Sequence, residues 1–202
     1  RIIPETKRWT RGVRPPNFPQ RRIGGVARLL AREFLGNSAT ERFVEILNDY
    51  PTGVTLRKRR RWIRKHQVQP FVVGDREHFW AWRYNFTAKK AKRPMKLIGE
   101  SRAKSIAFNA LLPLMMVQGE TSKDAKTKNT VRRVFQDFAP LESNSIVRHM
   151  RTRLFGEDER ADRLLKSEAR NQALFHIFHV CCKMNEQGCE DCIYGQSPAG
   201  KA

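Results

Sequence analysis

Four side chains near the C-terminal end are of the types that hold zinc. His179 lies one helical turn before Cys182, so an imidazole and a thiolate can share a helix face. Cys189 and Cys192 follow at a spacing that can close a tetrahedron from the next knuckle. His176 is an alternative nitrogen donor. A structural metal there would pin a short Gly-containing tail with little core of its own. The second reading of the same residues is thiols packing a helix end and open to oxidation. All four cysteines, with Cys181, fall in the last 22 residues. A disulfide framework would spread them through the fold, so clustering favours a metal or reduced thiols.

A different chemistry is written in "RKRRRWIRK", residues 57–65, which holds seven basic residues in nine. Arg57, Lys58, Arg59, Arg60, Arg61, Arg64 and Lys65 on about three helical turns repel one another at i,i+4. A phosphate backbone relieves that repulsion and releases counterions. Trp62 and Ile63 can anchor the segment to the body or wedge against a base. A second basic stretch, "KKAKR" at 89–93, adds Lys89, Lys90, Lys92 and Arg93. The formal net charge is +20 over 202 residues, and it is lopsided. Residues 1–104 carry 26 Lys and Arg against 8 Asp and Glu, a net of +18; residues 105–202 carry 14 against 12, a net of +2. One part of the molecule therefore attracts polyanions, while the rest is an ordinary surface. The plainer alternatives are a solvated basic face, or a face that meets an acidic protein.

Catalysis finds less support. His149 stands between Arg148 and Arg151 and reads as a surface residue. His66 and His78 have no carboxylate partner in the adjacent sequence. The chain lacks a membrane span: its longest apolar run, 106–117, is interrupted by Asn109 and Pro113.

The elements that position these groups read as mainly helical. Residues 1–19 form a basic Pro-rich arm, 20–183 a helical domain, and 184–202 a cysteine-containing tail. From Gln20, the apolar residues Ile23, Val26, Ala27, Leu30 and Phe34 recur at helical spacing, with Gly36 as a stop. Gly24 and Gly25 weaken its first turn. "SATE" at 38–41 has the form of a capping box, with Ser38 capping and Glu41 reaching back. "HFWAWRYNF" at 78–86 alternates as a strand would, yet also fits a buried helix. Its aromatic residues are candidates for core or for base stacking. Residues 100–117 form the central core helix, which Pro113 should kink. A helix near 122–137 buries Val131, Val134, Phe135 and Phe138. A short helix follows near 142–153. A long one over 158–183 turns Leu164, Leu165, Ala169, Leu174, Ile177, Phe178 and Cys181 inward.

Several strings in order resemble a known bacterial family. "RPPNFPQRRI" at 14–23 is similar to its Arg-Pro-x-Asn-Phe-Pro-x-x-Arg-Ile motif, through Arg14, Pro15, Asn17, Phe18, Pro19, Arg22 and Ile23. "FWAWRYNF" resembles its Tyr-Trp-x-x-His-Tyr-x-Phe stretch, with Arg83 where the family has His. "AFNALLPLMMVQG" carries its Asn-x-x-x-Pro pattern at Asn109 and Pro113. "LESNSIVRHM" and "NQALFHIFHVCCKMNEQGCEDCIYG" resemble its two last motifs. The family is designated domain of unknown function 2851, and the resemblance runs from about Arg14 to Gly195. It implies a longer protein in which a metal-dependent nuclease core of the Pro-Asp…Asp/Glu-x-Lys type precedes this helical region. No pair of strand-borne carboxylates fits that core here, and "GDREH" at 74–78 lacks the spacing. The start at Arg1 is read as a trimmed domain. Asn17 and Arg22 read as cap and turn residues. The basic run 57–65 has no counterpart in the family pattern.

Cys182, Cys189 and Cys192 also resemble the opening of the iron–sulfur loop of some DNA glycosylases, but Pro198 stands where the fourth cysteine would. Zinc is therefore the better metal reading. Together these observations predict an all-α helical bundle, with room for one short β-hairpin near 70–86. The leading expectation is a cytoplasmic accessory region of a nuclease that grips the phosphate backbone of DNA or RNA electrostatically. The alternatives are a scaffold packing on the missing catalytic core, or a zinc- or redox-dependent interaction module.

Overall fold

The computed structural model describes residues 17–36 and 38–183, and these are all-α. The arm up to residue 16 and the tail from residue 184 lie outside the described residues, and Cys189 and Cys192 go with the tail. Helix α1 covers Pro19–Phe34 and α2 Ala39–Glu45, which a 3-10 turn extends over Ile46–Asp49. Helix α3, Leu56–Trp62, holds the basic run and continues as a π turn over Ile63–Val68. The short α4 is Phe79–Trp82. Helix α5, Glu100–Ile106, passes through a π turn at Ala107–Leu111 into α6, Leu112–Thr121. Helices α7, Ala125–Asp137, α8, Ser145–Phe155, α9, Arg160–Leu164, and α10, Glu168–Ile177, complete the bundle, and a last π turn spans Phe178–Cys182.

Apolar periodicity accounts for the centre. Val131, Val134 and Phe138 are fully buried, and the Phe135 ring stacks on Phe108 at 4.6 Å. The α5–α6 segment supplies Ala103, Ala107, Phe108, Leu112 and Met115 to the same cluster. Phe43, Leu47, Ile63, Val68 and Phe71 close it from the N-terminal half. A smaller core of Val147, Met150 and Leu174 joins α8 to α10. Asp124 caps α7, accepting from the Lys126 and Thr127 amides at 3.0 and 3.1 Å, and Asn144 caps α8 through the Val147 amide at 2.9 Å.

Two of the π turns precede a proline, Pro70 and Pro113. Proline has no N–H for the carbonyl four residues back, so the preceding turn is not locked in α register. Closures five residues apart, Gln69 N–H to Arg64 and Leu112 N–H to Ala107, take its place.

Four expectations need correction. The hairpin near 70–86 is absent: Val73 forms a single antiparallel bridge with Ile98, and Phe79–Trp82 is a helical turn capped by His78. The helix over 158–183 is broken between Leu164 and Glu168, where the Glu168 amide donates to the Phe138 carbonyl at 3.0 Å and its carboxylate accepts from the Leu141 amide at 2.8 Å. That carboxylate also accepts from Asn171 and Gln172, which explains how an acid only 3% exposed is tolerated. Leu164 consequently points outward, and Cys182 rather than Cys181 packs on the second core, its Sγ 3.9 Å from Met150 Sδ.

The other two corrections concern α1. Its apolar stripe is the outer face, with Ile23 66%, Val26 and Leu30 49% and Phe34 84% exposed, while Arg21, Gly24 and Gly25 are buried. A Cβ on Gly24 would lie 2.8 Å from Trp80 Cδ1, and one on Gly25 3.0 Å from Ile98 Cγ1. The two glycines therefore let α1 lie directly on the 80–98 segment. The carboxylate at the start of α2 is Glu33, not Glu41: it accepts from the Ser38 hydroxyl at 2.6 Å and the Ala39 amide at 2.9 Å. Ser38 accepts from the Glu41 amide as expected, at 2.9 Å.

Candidate functional site

The basic run folds as a helix because Thr55 caps it and its apolar residues have somewhere to go. Thr55 Oγ1 accepts from the Lys58 amide at 3.4 Å. Ile63 and Val68 enter the main core, and Trp62 packs edge-on against Tyr50 at 5.5 Å between ring centres. Trp62 is thus an anchor to the body rather than a wedge. Burial, then the neighbouring Lys65, lower the His66 pKa, and this ring packs 5.0 Å from Trp62.

Helical spacing sorts the seven cations. Arg57, Arg60, Arg61 and Arg64, at i, i+3, i+4 and i+7, line one cleft of about 480 Å³. Lys104 and Glu100 of α5 form the other wall, and Ile63, Val68, Phe138 and Ala139 supply an apolar floor. Glu100 is the lone acid of the lining and faces Lys104 at 3.4 Å. Lys58 and Lys65 are exposed and lie off the cleft.

Two of the arginines serve the fold. Arg59 grips Asp137 with Nε at 2.5 Å from one carboxylate oxygen and a terminal nitrogen 3.4 Å from the other. Its second terminal nitrogen donates to the Val54 carbonyl at 2.5 Å. The hydrogen bond to Asp137 raises the Arg59 pKa above its ordinary value. Tyr50 donates to the same carboxylate, and burial followed by Asp137 pushes its phenol well above the usual range. Arg60 donates from Nε to the Asp137 carbonyl at 3.0 Å and from a terminal nitrogen to the Lys166 carbonyl. Among the described residues, Arg57, Lys58, Arg61, Arg64 and Lys65 form no ion pair.

The loop cations belong to another module. Lys89, Lys90, Lys92 and Arg93 are exposed, and the loop is pinned where the Ala91 amide donates to the Trp82 carbonyl and the Met95 amide to the Ala81 carbonyl, each at 2.7 Å. Beneath lies Arg21, 1% exposed, which sequence reasoning missed. Its guanidinium donates to the carbonyls of Trp80, Arg83 at 3.1 Å and Lys96 at 3.2 Å. It also lies 5.5 Å from the Tyr84 ring centre, and burial holds its pKa below the ordinary value. One signal was present: Gly24 and Gly25 share a helix face with Arg21, so two neighbouring positions on that face have no side chain to keep a packing partner away.

Of the proposed zinc ligands, His179 is exposed and its ring is parallel to Phe175 at 6.4 Å, whereas Cys182 turns toward Met150. Cys189 and Cys192 lie outside the described residues, and among the described residues there is no group of three metal-ligating side chains.

Fold and cleft together define a basic all-helical domain with one strongly cationic groove. The sequence model of the family described as protein of unknown function (DUF2851) matches residues 3–145, and the chain belongs to that family. The matched span includes α1 to α7 and every residue lining the cleft, but not α10 or the cysteines. Neither a curated protein nor a solved structure matches the chain. No helix among the described residues is long and apolar enough to cross a membrane.

Proposed function

We propose that this domain binds nucleic acid by its phosphate backbone, as an accessory region of a nuclease. The observation that carries the reading is the convergence of Arg57, Arg60, Arg61, Arg64 and Lys104 on one groove that contains a single acid. Arg60 and the neighbouring Arg59 are held by Asp137, which fixes the helix so that Arg57, Arg61 and Arg64 point at a ligand from a rigid base. Planar guanidinium groups suit phosphate oxygens, and contacts of this kind position a backbone without reading its sequence. With roughly six contacts from cleft and loop, affinity falls about a thousandfold between about 50 and 200 mM monovalent salt. Replacing Arg57 and Arg64 by Gln lowers the slope of log affinity against log salt by about two and leaves the melting temperature unchanged. Fluorescence anisotropy over a salt series checks both; an affinity indifferent to salt removes this reading.

A second reading rests on α1. Its outward stripe of Ile23, Val26, Leu30 and Phe34 is the kind of surface that marks a docking site. The occupant this reading assigns is the nuclease-like region that the resemblance places upstream in longer proteins. A zinc site would use His179, Cys182, Cys189 and Cys192, and metal analysis of anaerobically purified protein then gives near-unit stoichiometry, against none for plain thiols.

A further inference from the structure

Between His78 and Gly99 the chain carries six Lys and Arg and no Asp or Glu. The aromatic residues of this stretch do not all enter the core. Phe86 is 68% exposed and Phe79 41%. Their ring centres lie 6.2 Å apart, and Phe86 meets Trp80 edge-on at 4.8 Å. Trp80 packs against the main core, so the exposed rings rest on a fixed base. Arg83 covers the Phe79 ring at 4.8 Å and Lys90 the Trp82 ring at 4.3 Å. The three backbone carbonyls held by buried Arg21 fix the platform relative to the basic loop.

We infer that this surface takes the unpaired bases of single-stranded nucleic acid. Phe86 offers a ring face to a base, and Lys89, Lys92 and Arg93 hold the flanking phosphates. The inference rests on the nucleic-acid reading above and names its substrate form. An aromatic face can meet a base only when that base is out of a duplex stack, since the faces of paired bases are already covered. The cations argue against a purely apolar partner, and the absence of acid suits a polyanion. An acidic peptide or an anionic lipid surface would need charge and apolar area, but not a ring.

That difference gives the test. The full chain is titrated by anisotropy with a labelled single-stranded oligonucleotide and with the matching blunt duplex at one low salt concentration. Phe86→Leu keeps apolar bulk on an exposed site and removes the ring; Phe86→Trp keeps a ring. Phe86→Leu is expected to weaken single-strand binding at least about tenfold, with Phe86→Trp near the parent and duplex binding unchanged. Equal losses on both forms, or no loss on the single strand, overturn the inference while leaving salt-dependent backbone binding intact. Binding of neither form at low salt overturns the broader reading as well. Phe86-dependent binding to anionic lipid vesicles without any to oligonucleotide overturns both.

Discussion

At Gly24 an added methyl group would sit 2.8 Å from Trp80 Cδ1 and 3.2 Å from His78 Cε1, both on a segment that Arg21 holds by its backbone. Neither neighbour is the loose end of a flexible chain. Gly24→Ala therefore raises helix propensity yet lowers stability, by roughly 1–3 kcal/mol from overpacking. Thermal denaturation reads the sign: a melting temperature at or above the parent's would mean that α1 can slide off Trp80. This contact also shows why single residues were hard to assign from sequence. Arg21 lies in the first turn of α1 beside Arg22 and has the type of a solvated charge, and its burial follows from three carbonyls more than fifty residues downstream. Arg59 and Arg60 were likewise indistinguishable from Arg57 and Arg61 by type, since Asp137, their partner, is remote in sequence. Only the cleft in the folded chain separates positions 57, 60, 61 and 64 from Lys58 and Lys65.

Elements with a strong apolar period were legible: α7 and its buried Val131, Val134 and Phe138 lie where the pattern put them. Elements set by tertiary hydrogen bonds were not. The break before α10 depends on Glu168 reaching Leu141, and the outward stripe of α1 reverses the usual rule because two glycines allow a closer contact than side chains would. The junction of α1 and α2 is another such case, and it is sensitive to pH. Burial alone would raise the Glu33 pKa, but hydrogen bonds from Ser38, Thr40 and the Ala39 amide outweigh it and hold the carboxylate below its ordinary value. The unfolded value is about 4.3. A folded pKa below that stabilises the protein above about pH 4.3, and the gain disappears as pH falls through the folded value. Glu33→Gln should lower the melting temperature at neutral pH, with the gap to the parent closing in acid. A gap that stays constant from neutral pH to below about pH 4 would show that the charge on Glu33 contributes nothing.

Across the whole molecule, charge and apolar surface are divided between elements. The cationic groove is built by α3, α5 and the end of α7, whereas the apolar stripe lies on α1. The sequence displayed the charge imbalance plainly, and it displayed the stripe too, but only the packing of Gly24 and Gly25 turned the stripe outward. The division bears on the two readings of function. A scaffold that met its catalytic core through the basic face would neutralise Arg57, Arg61 and Arg64, and a chain extended by the upstream region would lose free binding to nucleic acid. Docking through α1 has the opposite consequence, because burying Ile23, Leu30 and Phe34 leaves the groove open. The expected outcome is that the extended chain keeps the salt slope of the isolated one to within about one unit. Under the proposal of an upstream nuclease-like region docked on α1, Phe34→Ser, at a site 84% exposed, should release that region in a pull-down while leaving the melting temperature of the isolated chain unchanged. Retention of the upstream region by the Phe34→Ser variant, together with a collapsed salt slope, would instead place the partner on the arginine groove.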